Sequence, residues 1–145
     1  MFKILATFKA LLFAAVMATS LQAQAADDVI KTVYHMSEGI PQASRGLNNI
    51  RNHLAADPTA KIVVVTHGAG IDFLLEGANN TAGQSFAGAI GDLSAKGVTF
   101  AVCNNTLVSR NIDPSKVAME AKVVPSGVAE VARLQAREGF VYLRP

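Results

Sequence analysis

The sequence predicts a three-layer α/β/α domain built on a mainly parallel five-stranded sheet. Runs rich in β-branched and aromatic residues recur along the chain, and stretches with helical spacing separate them. Such alternation marks βαβ units, whose parallel strands are covered by helices on both faces. The segment KIVVVT is apolar at successive positions, as a strand buried on both faces requires.

The elements follow in order. Residues 29–35, VIKTVYH, form the first predicted strand. In the next stretch Ala43, Leu47, Ile50 and Leu54 repeat at helical spacing, with Pro41 near the start and Asp57-Pro58 as the stop. KIVVVT is the second strand and closes in the glycine turn HGAG; IDFLLEG predicts a short helical turn. A second helix carries Phe86, Ile90 and Leu93 on one face and ends at Gly97. VTFAVC is the third strand, followed by a short helix in NTLVSRNID. A fourth strand covers Ala121–Val124, a last helix turns Val128, Val131 and Leu134 inward, and FVYLRP supplies the fifth strand.

The first residues read differently. MFKILATFK has two lysines and no acid, ALLFAAVMATSL is apolar, and Ala23-Gln24-Ala25 is a small-residue cleavage site. This pattern predicts a secretory signal peptide over residues 1–25, leaving a single domain over 26–145 and a periplasmic protein with no membrane attachment after cleavage. The whole chain carries 13 basic and 11 acidic residues, but Lys3 and Lys9 leave with the leader. The mature domain is therefore formally neutral, which argues against nucleic acid as a partner.

Chemistry in such sheets collects beyond the carboxyl ends of the strands. His35, His67 and Cys103 close the first three predicted strands, whereas His53 falls inside the first helix as a surface residue. Cys103 is the only cysteine. In an oxidising compartment a cysteine without a partner points to a reactive thiol or an intermolecular bond. Asn104, Asn105 and Thr106 are N-cap residue types, so the thiol is expected beside a helix start that favours thiolate, with Arg110 adding positive charge. Gly68 and Gly70 allow a tight turn that leaves room for a small anion. The glycines lack the third member of a dinucleotide fingerprint, and the His and Cys spacing follows no compact zinc pattern, so no cofactor or metal is assigned. A non-catalytic module binding a small anion or metal is the alternative class.

GVTFAVCNNTLVSRNID resembles the segment around the sulfur-accepting cysteine of the DsrE/DsrF-like family, which includes TusD-type sulfur-relay subunits. Gly97, Val98, Cys103 and Arg110 fit the family order, and Asn111 stands where a glycine is usual. VVTHGAGIDFLLEG and the tail from Val123 are similar to its small stand-alone branch. The resemblance implies a five-stranded domain, a homo-oligomer (trimer or hexamer), and Cys103 as a persulfide acceptor exchanging sulfur with a donor or acceptor protein. His35 and His67 are expected to assist. The family's relay members are cytoplasmic, so export of this chain implies a different donor.

Overall fold

The computed structural model describes residues 29–145; the predicted signal peptide lies outside them. Five strands, β1 (Lys31–Met36), β2 (Lys61–Thr66), β3 (Thr99–Cys103), β4 (Ala121–Val124) and β5 (Val141–Leu143), pair in parallel in the order β4-β3-β2-β1-β5. Helix α1 (Ile40–Ala56) follows β1, α2 (Ala87–Ala95) precedes β3, α3 (Asn104–Ser109) follows it, and α4 (Gly127–Glu138) links β4 to β5. The first three steps move outward from β1, and the last crosses the whole sheet to its other edge. The topology thus reverses between β1 and β5.

Two apolar layers hold the sheet. On one face Ala43, Leu47 and Ile50 of α1, Phe73, and Ile90 and Leu93 of α2 pack on Tyr34, Met36, Val64, Phe100 and Val102. On the other, α4 alone sets Val131 and Leu134 against Val33, Val65, Ala101 and Val124. Burial on both faces explains why β2 has so little polar alternation. Pro41 fits the first turn of α1, where its missing N–H costs no helical bond. Next to it the buried Gln42 side chain reaches back and accepts from the amides of Ser37 and Glu38 (2.9 and 2.8 Å).

Most predicted elements match, with local corrections. β1 begins two residues later and ends at Met36, leaving Val29 and Ile30 exposed. Val128 does not face inward: α4 buries Gly127, Glu130, Val131 and Leu134, and Val128 lies off that stripe, 62% exposed. Glu130 takes the place expected for an apolar residue because Arg133 and Lys122 neutralise its carboxylate. Only residues 71–74 of IDFLLEG are helical, as the end of a 3-10 helix that starts earlier, Gly68–Leu74. There Gly70 lies against the end of β1, and a Cβ at that position would come within 2.2 Å of the Met36 carbonyl oxygen.

Candidate functional site

The site is built at the carboxyl ends of β1, β2 and β3, on the face that α4 covers. His35 pairs with Val65 across β1 and β2, and Thr66 pairs with Val102 across β2 and β3. Side chains alternate along strands, so His35, Val65 and Ala101 share a face, and one further step brings His67 and Cys103 to the same edge. Gly127 seals the arrangement. A Cβ on it would lie 3.1 Å from the Thr66 carbonyl oxygen, 3.2 Å from Cβ of His67 and 3.3 Å from Cβ of Cys103. A side chain at the start of α4 would therefore have to push these neighbours back by a few tenths of an ångström.

Cys103 is 3% exposed, yet it belongs to neither apolar layer. The sequence assigned the capping role to the asparagines; instead Cys103 is itself the N-cap of α3, and Asn104 is the first helical residue. The neutral thiol closes no capping hydrogen bond. Burial alone would raise its pKa, but the Gly127 amide, then the Thr106 hydroxyl and amide, then the Asn105 amide stabilise the thiolate and pull the pKa below the ordinary thiol value. Two helix starts therefore converge on one sulfur, each presenting N–H groups that no helical carbonyl accepts.

Thr106 links this cradle to the glycine turn, because its Oγ1 accepts from the Gly68 amide at 2.9 Å. Arg110 lies further out. Its Nη1 donates to the Gly68 carbonyl (3.2 Å) and the Asp72 carboxylate (2.6 Å), so the expected charge serves to fix the turn. The Gly70 amide donates to the His67 carbonyl at 3.0 Å. Both glycine amides are thus engaged within the protein, and the turn presents neither of them to an anion. Asn111 takes the left-handed conformation (φ 51°) expected of a residue standing in for glycine.

The histidines meet. Nε2 of His35 lies 2.7 Å from Nε2 of His67, with the rings tilted 32° and their centres 4.8 Å apart. Nδ1 of His35 lies 2.8 Å from the Tyr142 hydroxyl. Burial first, then repulsion from any proton shared with the neighbouring His67 ring and from Arg144, lower the pKa of His35, so its neutral form is favoured. His53 takes no part: its Nδ1 pairs with the Tyr34 hydroxyl at 3.0 Å, leaving it half-buried rather than on the surface. Among the described residues, no group of three or more His, Cys, Asp and Glu is placed to hold a metal ion.

Sequence reasoning missed Gly127 and Tyr142. The Ser126-Gly127 pair did signal a helix start, since the Ser126 side chain accepts from the Ala129 amide. Tyr142 carried no local signal, because only the pairing of β5 with β1 brings it to His35.

The family model described as the DsrE/DsrF-like family matches residues 14–144. A protein of unknown function, MTH1491 from Methanobacterium thermoautotrophicum, is similar in structure: 29% identical, TM-score 0.71, with 80% of this chain and 99% of that one covered. The ychN protein from E. coli shares the fold at 12% identity, TM-score 0.68, covering 81% of this chain and all of that one. No curated protein matches the chain.

Proposed function

The chain belongs to the DsrE/DsrF-like family, and from that premise we propose that it carries sulfane sulfur as a persulfide on Cys103. The observation that carries this is the cradle around the sulfur. Gly127, Thr106 and Asn105 favour thiolate at a site where burial alone would favour thiol. Thiolate is the form that attacks sulfur–sulfur bonds.

The step balances without a cofactor. The Cys103 thiolate attacks the outer sulfur of a donor such as thiosulfate or polysulfide. A new S–S bond forms as the donor's S–S bond breaks, and the electron pair leaves on sulfite or on the shortened polysulfide. An acceptor thiolate then takes the outer sulfur and returns Cys103 to thiolate. Cys103 is buried, which suits a small inorganic donor better than a bulky one. His67, at the same sheet edge, and His35 behind it polarise the donor or steady the outgoing anion.

The leader-like residues 1–25 support a periplasmic setting for this exchange. Membership of the family supports assembly into a homo-oligomer, a trimer or hexamer; sedimentation should give that mass rather than a monomer's. The sulfur step is tested with thiosulfate labelled in its outer sulfur. Label should stay on the protein while unlabelled sulfite is released, and Cys103→Ser should retain none. Equal retention by the serine variant rules the proposal out.

A further inference from the structure

Tyr142, His35 and His67 form a line of hydrogen-bonding atoms that runs from the β5 edge to the end of β2. The separations are 2.8 Å at the tyrosine and 2.7 Å between the rings. Each imidazole nitrogen is a donor or an acceptor, so one choice at the tyrosine fixes every later one. An imidazole nitrogen is a much stronger base than a phenol oxygen, so the Tyr142 hydroxyl donates and His35 Nδ1 accepts. The His35 proton must then sit on Nε2 and point at His67 Nε2. That nitrogen accepts, and the proton of His67 is left on Nδ1.

We propose that Tyr142 is a positioning residue which, through His35, holds His67 as an Nδ1–H donor for the outer sulfur of a Cys103 persulfide. The inference rests on the sulfur-carrier role proposed above. Nδ1 is bonded to the ring carbon that carries Cβ, and the Cβ atoms of His67 and Cys103 both lie within 3.3 Å of the point a Gly127 Cβ would occupy. The Gly127 amide and the Thr106 hydroxyl and amide favour charge on the inner sulfur, the Asn105 amide is shared with the Pro125 carbonyl (3.4 Å), and His67 is not among the groups that stabilise it. The outer sulfur sits one S–S bond, about 2 Å, further out and carries the persulfide charge. It is the atom without a donor of its own, and His67 supplies one. The favoured neutral state of His35 is what the chain needs, since an imidazolium there would be a donor at both nitrogens and refuse the tyrosine proton.

The test uses the full chain with nitrogen-labelled histidine. In the wild type at alkaline pH, NMR should show the imidazole proton of His67 on Nδ1 and that of His35 on Nε2. Tyr142→Phe removes only the hydroxyl from a residue that is 38% exposed, so the fold should survive. In that variant the single tautomer of His67 should be lost. The fraction of Cys103 loaded at limiting polysulfide should fall about tenfold, the weight of one hydrogen bond to a charged group. A wild-type His67 protonated on Nε2, or a phenylalanine variant with unchanged tautomers and loading, overturns the proposal. If the wild type takes up no sulfur while the tautomer still depends on Tyr142, the sulfur-carrier role fails and the hydrogen-bond chain stands.

Discussion

At Cys103, burial and hydrogen bonding pull in opposite directions, and the donors prevail. Thr106 is the most informative of them because its oxygen does two jobs, facing the sulfur and accepting from the Gly68 amide. Thr106→Val keeps the shape and removes both. Its thiol pKa, followed by the pH dependence of alkylation, should rise, and stability should drop by about 1–2 kcal/mol for the amide left without a partner. An unchanged alkylation profile would show that the hydroxyl does not tune the sulfur. The cysteine was legible in the sequence, since a lone thiol at a strand end is conspicuous. Its neighbours were less so. Arg110 carried the right charge but serves Asp72 and the turn, and nothing in a one-dimensional pattern separates those two uses.

The elements bring these residues together by close backbone approach. Gly70 and Gly127 are the two points where a side chain would push them apart. Gly70→Ala would drive a Cβ into the backbone of β1 and should cost about 3 kcal/mol or more, read by denaturant unfolding. Gly127→Ala meets contacts of 3.1 to 3.3 Å and should cost only about 1–2 kcal/mol. Its sharper effect should be on chemistry: moving the start of α4 takes an amide away from Cys103, so alkylation at neutral pH slows. A variant that unfolds more easily yet alkylates like the wild type would separate α4 from the thiol. The sequence made α4 legible as a helix through its apolar spacing. It mistook the buried stripe because Glu130, a charged residue, occupies an inward position that its partners neutralise.

At the scale of the whole molecule, the parallel sheet was legible because β2 is apolar on both faces and each of the first four strands is followed by a helical pattern. The strand order was not. Placing β5 beside β1 depends on α4 crossing the sheet, and that crossing creates the Tyr142–His35 contact. The same contact region shapes acid stability. His35 has a lowered pKa in the folded state, so between its ordinary value of about 6.5 and that lower value the unfolded chain binds the proton and the native chain does not. Stability should therefore fall as pH drops below about 6.5, and thermal unfolding of His35→Gln should show a shallower fall over the same range. Parallel curves would place the acid sensitivity elsewhere.

All of this converges on the sulfur of one residue. The most direct measurement is the intact mass of the full chain after brief exposure to polysulfide and removal of excess reagent. Persulfide carriage on Cys103 predicts a gain of one sulfur atom on the wild type, reversed by a thiol acceptor and absent from Cys103→Ser. No gain on the wild type, or the same gain on the serine variant, would contradict it.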